Sequence, residues 1–137
     1  MKKKKRYLYI TQADMERLRS LIEIGSVQDG AYLQSLEEEL DHARIVLPEK
    51  IPSDVITMNS TVRLQDLDTG EEKIYTLVFP GKTEAGQNPI SILAPVGTAL
   101  IGYREGDVIE WDVPAGTRRL KVLEVVYQPE RAGEHDL

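Results

Sequence analysis

The chain has no cysteine. That excludes a disulfide framework and thiolate chemistry, and it leaves the protein free to fold in a reducing compartment. Histidine is nearly missing. His42 and His135 stand alone, without metal-site spacing and without a serine or cysteine partner pattern. One Phe and one Trp occur among the 137 residues. This is a poor supply for an aromatic-lined pocket, and Phe79 and Trp111 are expected to fill the core. No apolar run approaches the ~18 residues of a membrane span. The opening MKKKKR carries the charge of a signal-peptide n-region, but YLYITQADMERLR behind it is too charged for an h-region. A cytoplasmic protein without a membrane partner is expected.

What is present is acidic charge, unevenly spread. The net charge is −6, yet five of the 17 Lys and Arg residues lie in Lys2–Arg6. The remainder sets 12 basic residues against 23 acidic ones. An acidic body repels nucleic acid and suits a basic partner surface. No direct sequence-specific nucleic-acid binding is expected, and the lysine run reads as a solvated terminus. The length allows one domain, or one small domain with an appendage.

Tyr7 to Ile10 is a short β-prone run. Thr11 then offers an N-cap with Asp14 three residues on. Met15, Leu18, Leu21 and Ile22 recur at helical spacing. After the break GSVQDG at 25–30, Leu33, Leu36, Leu40 and Ala43 form an a/d seam, with Glu37, Glu38, Glu39 and Asp41 mostly off it. Residues 1–50 therefore read as a short antiparallel helical hairpin with Glu23 and Asp29 at its tip. Pro48 and Pro52 make a linker. From Val55 the character is β, with strands expected over Thr61–Leu67, Lys73–Phe79 and Arg118–Tyr127. Residues 53–130 form the expected second module, 131–137 a tail, and the whole of 128–137 looks frayed. The fold class is α+β: a helical hairpin, then an antiparallel sheet with one short helix.

Three look-alikes carry no chemistry. Pro80-Gly81-Lys82-Thr83 resembles the end of a phosphate loop, but Thr76 stands where the first glycine is needed. Asp66-Leu67-Asp68-Thr69-Gly70 lacks the third ligand and distal Glu of a calcium loop and reads as a hairpin turn. Neither histidine has a partner. No catalytic residue, cofactor or metal is expected.

The most informative stretch is Ile90 to Gly116, ISILAPVGTALIGYREGDVIEWDVPAG. Ile90, Ile92 and Leu93 end a strand, and Pro95 suits a first helical turn, where its missing N–H is no loss. Gly102 can stop the helix in a left-handed conformation. Gly106-Asp107 turns the chain into a strand with Ile109, Trp111 and Val113 on one face. Asn59-Ser60-Thr61-Val62, Ile90-Ser91-Ile92, Pro95, Ala99-Leu100-Ile101-Gly102, Gly106-Asp107-Val108 and Pro114-Ala115-Gly116 occur in the order seen in the C-terminal domain of the Gre transcription elongation factors, which they resemble. Val55–Ser60, Leu93–Gly97 and Tyr127–Glu130 resemble a short-hairpin branch of that family, the regulators of nucleoside diphosphate kinase (Rnk). The resemblance implies an FKBP-like C-terminal fold. It implies a partner, RNA polymerase, with the C-terminal domain on the rim of the secondary channel and Leu93, Ala94, Pro95 and Val96 as the docking surface. Gre factors use acids at a long hairpin tip to help hold a second Mg²⁺ for transcript cleavage. Here the hairpin is several turns shorter and carries Glu23 and Asp29 in place of that cluster. A non-enzymatic protein that competes with Gre factors is therefore expected. The alternatives are regulation of the nucleoside diphosphate kinase pathway through a protein partner and, by fold analogy, a peptidyl-prolyl isomerase.

Overall fold

The structure is a computed structural model describing residues 8–24, 30–80, 88–113 and 116–133. Strand β1 (Leu8–Ile10) leads into helices α1 (Gln12–Ile24) and α2 (Gly30–Asp41), which pack on each other, and then into strand β2 (Ala43–Ile45). Thr11 starts α1 as expected. Its hydroxyl accepts the Asp14 N–H at 3.2 Å and its carbonyl accepts the Met15 N–H at 2.9 Å. Met15 and Leu18 of α1 and Leu33, Leu36 and Leu40 of α2 are buried. Helices of 13 and 12 residues are marginal alone. Each fully buried leucine contributes about 1.5–3 kcal/mol of transfer free energy, so packing rather than propensity holds them.

One expected helical position is corrected. Ala43 lies beyond α2, in β2, which runs parallel to β1 with Leu8 opposite Ala43 and Ile10 opposite Ile45. The Val46 N–H extends the ladder to the Ile10 carbonyl at 2.9 Å. The β-branched Ile45 and Val46 favour this extended pairing over another helical turn.

After a 3-10 turn at Pro48–Lys50, the chain builds a five-stranded sheet from β3 (Thr61–Asp66), β4 (Glu72–Val78), β5 (Pro89–Ser91), β6 (Val108–Val113) and β7 (Gly116–Tyr127). The spatial order is β5-β4-β3-β7-β6. The sheet is mixed rather than wholly antiparallel, because β5 pairs parallel to β4. The β3–β4 connection is the expected hairpin turn, with Asp66 Oδ1 accepting the Asp68 and Thr69 N–H groups at 2.8 and 3.2 Å. Helix α3 (Pro95–Leu100) joins β5 to β6, and α4 (Pro129–Ala132) follows β7. Residues 128–133, expected to fray, are folded. The fully buried Gln128 side chain donates to the carbonyls of Pro52 at 2.9 Å and Val55 at 2.8 Å. Arg131 donates to Ser53, Val125 and Val126 carbonyls.

The buried apolar cluster is continuous across the Pro48–Pro52 linker. It unites Leu8, Leu18, Leu36 and Leu40 with Ile56, Met58, Phe79, Leu100 and Ile101. The Arg17 guanidinium covers the Phe79 ring, 4.0 Å from its centroid. The Trp111 side chain lies outside the described residues. The proposed division at residues 50 and 53 thus follows chain order, while the core belongs to both parts.

Gly102 stops α3 at φ +88°, and a Cβ placed there would lie 3.0 Å from Leu8 Cδ1 and 3.3 Å from Leu8 Cα. Gly106 has a similar φ of +91° with open space around it. The left-handed conformation alone costs an L-residue about 1–2 kcal/mol, and overpacking adds about 1–3 kcal/mol. Gly106→Ala is expected to show only the first cost and Gly102→Ala both. Urea unfolding of the two variants checks this, and equal losses would show that the Leu8 contact imposes no constraint.

Candidate docking site

The segment from Ser91 to Gly97 turns the chain from β5 into α3, and its shape is set by backbone hydrogen bonds. The Ile92 N–H donates to the Val78 carbonyl at 2.9 Å, which fixes the strand end beside β4. The Ser91 hydroxyl accepts the Leu93 N–H at 3.1 Å, and the Ser91 carbonyl accepts the Ala94 N–H at 3.0 Å. Ala94 is the N-cap residue, extended at φ −70° and ψ 147°, and gives no side-chain cap. Pro95 opens the helix, where it withdraws no needed N–H. Thr98 closes the turn from the other side: its N–H donates to the Ala94 carbonyl at 3.0 Å and its hydroxyl to the Ile92 carbonyl at 2.5 Å.

Gly97 lets the helix lie directly on the strand end. A Cβ there would sit 2.1 Å from the Ser91 carbonyl oxygen, an approach that side chains do not make, and 3.2 Å from Ile92 Cα. Ile92 beneath is fully buried. Leu93 and Val96 are half-buried and pack on the core from the outside. Ala94 is half-buried as well. The Pro95 side chain lies outside the described residues. The structure therefore brings Leu93, Ala94, Pro95 and Val96 into one turn, and the three with described side chains leave part of an apolar surface in solvent.

Beside Val96 opens a cleft of about 190 Å³ that the sequence reading missed. Its apolar lining is Leu64, Ile90, Val96 and Leu120. Its polar lining is the Asp66–Arg118 pair at 2.6 Å, with Glu71, Lys73 and Tyr75. The Asp66 carboxyl is held below its usual range by the Asp68 N–H first, against the opposing cost of burial, and then by Arg118 and the Thr69 N–H. The signal was period-two alternation. Leu64 and Asp66 share a face of β3, Lys73 and Tyr75 a face of β4, Arg118 and Leu120 a face of β7. Which faces meet depends on the strand order, which alternation does not reveal.

The second expected site, the hairpin tip, lies partly outside the described residues. Glu23 is exposed in the last turn of α1, and Asp29 lies outside the described residues. Among the described residues, no three His, Asp or Glu side chains are grouped to hold a metal ion. No helix there is long and apolar enough to cross a membrane.

Comparison with known proteins matches both parts of the chain. Residues 51–127 fit the family described as transcription elongation factor GreA/GreB, C-terminal, and residues 6–46 fit the Rnk N-terminus. The regulator of nucleoside diphosphate kinase of Escherichia coli K12 is 42% identical over 129 residues, covering 93% of this chain and 95% of that protein. Transcription elongation factor GreA of Bartonella henselae is 35% identical over 95 residues, covering 69% of this chain and 60% of that one. The solved structure of a prokaryotic transcription elongation factor GreA/GreB from Nitrosomonas europaea is similar at 44% identity and a TM-score of 0.75, over 90% of this chain and all of the other. With an Rnk-type N-terminus joined to a GreA/GreB-type sheet domain that carries the apolar turn, the chain belongs to the Rnk branch of the GreA/GreB family.

Proposed function

We propose that this protein binds RNA polymerase at the rim of the secondary channel, competes there with Gre factors, and catalyses nothing itself. The observation that carries this reading is the Ser91–Gly97 turn. Its partly exposed Leu93, Ala94 and Val96 sit on a rigid strand-to-helix corner in a GreA/GreB-type domain. The corner is held by five hydrogen bonds and a glycine contact, so little conformational freedom is lost when it docks. The acidic balance of the chain suits a basic rim. The arrangement of α3 against the sheet supports an FKBP-like reading of the domain, but the cleft beside it carries one aromatic ring, Tyr75, among its described lining residues. That is thin support for prolyl-isomerase chemistry.

The relatives named for regulation of nucleoside diphosphate kinase favour a second reading, a protein partner in nucleotide metabolism. A pull-down from lysate that returns the kinase, and no polymerase, supports that reading over the first.

Ala94→Arg and Pro95→Arg each place bulk and charge at the apolar corner. Provided circular dichroism and thermal unfolding show the variants folded, each is expected to weaken binding to core RNA polymerase more than tenfold, about 1.4 kcal/mol. The wild type is expected to be displaced by a Gre factor. Binding that persists at saturating Gre factor excludes a shared site.

The helix pair also limits reach. The 13 residues of α1 span ~20 Å at ~1.5 Å per residue. A carboxylate must come to ~2.0–2.1 Å of Mg²⁺, or one water beyond, to act on it. If the sheet domain sits on the rim, the tip stops short of the active site. No stimulation of transcript cleavage in backtracked complexes is expected, with a Gre factor as positive control. Asp29→Asn is expected to leave binding and competition unchanged, since exposed charges are screened beyond ~8–10 Å. Asp29-dependent shortening of the RNA overturns the non-enzymatic reading.

A further inference from the structure

The chain passes from the helix pair to the sheet once, through residues 46–60. Within that passage Pro52–Thr57 is held on two flanks, and the two flanks are built differently. On the first, the bonds run from backbone to backbone. The Ile56 N–H donates to the Tyr103 carbonyl at 2.8 Å, the Gly102 N–H to the Ile56 carbonyl at 3.0 Å, and the Glu105 N–H to the Asp54 carbonyl at 3.0 Å. Val55 also bridges antiparallel to Arg104. This flank is a short ladder that belongs to the sheet domain.

On the second flank lie Gln128, Glu130 and Arg131, and the bonds run through side chains. Gln128 Nε2 donates to the Pro52 and Val55 carbonyls at 2.9 and 2.8 Å. Arg131 Nη1 donates to the Ser53 carbonyl at 3.2 Å, while its Nη2 holds the Val125 and Val126 carbonyls at 3.0 Å each. Glu130 Oε1 accepts the Thr57 hydroxyl at 2.7 Å. The helix that carries these groups has four residues, too few to persist alone. It packs on the 3-10 turn at Pro48–Lys50. Its segment starts one residue past Tyr127, where the β3–β7 ladder ends opposite Thr61. Releasing it therefore breaks no bond of the sheet.

We propose that residues 128–131 are a strap that opens without unfolding the sheet and that, closed, fixes the angle at which the helix pair leaves the sheet domain. The other attachment of the helices is apolar packing of Leu18, Leu36 and Leu40 into the shared core. Such packing is non-directional, whereas hydrogen bonds constrain angle. The directional hold on the linker comes from both flanks, and only the side-chain flank can leave with the first ladder intact. Opening gives the Pro52, Ser53 and Val55 carbonyls to solvent and frees the linker to bend. Segments with few apolar contacts and a short run of bonds open at low free energy. The strap depends on no partner, so it holds whether or not the corner at Ser91–Gly97 binds polymerase.

The test uses the full chain, whose lack of cysteine lets two spin labels be placed without background. Labels at Glu37→Cys in α2 and Thr69→Cys in the β3–β4 turn, both exposed positions, report the distance between helix pair and sheet by pulsed electron resonance. One narrow distance distribution is expected. With Gln128→Ala and Arg131→Ala added, it is expected to broaden to about twice its width. Amide protection of Val62, Leu64 and Gly102 is expected to persist in that variant. In the unmutated chain the Ala132 N–H, bonded to the Gln128 carbonyl at 3.0 Å, is expected to exchange at least about tenfold faster than the Val62 N–H. An unchanged distribution in the double variant, protection lost across β3, or an Ala132 amide as slow as Val62 each overturns the strap. Should the double variant fail to fold, Arg131→Ala alone, at an exposed side chain, and the exchange rates of the unmutated chain decide.

Discussion

Three distant parts of the chain cross at Gly102, and the architecture depends on that crossing. The Gly102 N–H donates to the Ile56 carbonyl at 3.0 Å, and the Ile56 N–H donates to the Tyr103 carbonyl at 2.8 Å. On its other side the glycine receives Leu8 of β1 at a distance where a methyl group would be crowded, 3.0 Å from Leu8 Cδ1. The end of α3, the segment after the linker and the N-terminal strand are thus held at one backbone corner. Around it lie the fully buried Leu8, Ile56, Leu100 and Ile101. Helices of 12 and 13 residues would be marginal on their own. Seated on this corner, they share the core of the sheet, and α2 packs against α3.

The same economy shapes the apolar turn. Helix α3 has six residues and no side-chain cap, so it cannot hold itself. Ser91, Gly97 and Thr98 hold it by pinning its first turn to the strand end, which leaves the side chains of Leu93, Ala94 and Val96 free of structural hydrogen bonding. A surface of this kind offers apolar area at fixed geometry and no group to move a proton or attack a bond. It suits recognition. The adjoining cleft adds charge of both signs beside that surface, with Asp66 and Arg118 paired within it.

The parts legible in the sequence were those whose cause is local. Thr11 caps α1 because its hydroxyl reaches an N–H three residues away, and Pro95 and Gly102 bracket α3 through their own dihedral constraints. The leucine seam of α2 and the hairpin at Asp66–Gly70 follow from period and turn chemistry. What escaped depends on partners far along the chain. Ala43 looked helical because it continued the seam; the strand that claims it, β1, lies some 35 residues earlier. Gln128 and Glu130 looked like a solvated tail because they are polar. Their burial rests on Pro52, Val55 and Thr57, more than 70 residues away. The parallel pairing of β5 was hidden for the same reason. Of the candidate site, the turn itself was readable and the cleft beside it was not, since β3, β4 and β7 each supply only alternate residues.

Charge is used in two ways in this fold. Most ion pairs, such as Arg63–Glu124 and Arg19–Asp41, join half-exposed side chains. Such pairs contribute about 0–1 kcal/mol each, so the core rather than the charge pattern holds the fold. Asp66 and Asp14 are the exceptions, two buried aspartates driven in opposite directions by their neighbours. Asp66 meets N–H donors and a guanidinium, and its charged form is favoured. Asp14 meets burial and the Glu130 carboxyl, and its neutral form is favoured. One stands in the cleft beside the apolar turn and the other at the root of the helix pair. One continuous core connects the surface that presents the turn with the joint that carries the helices.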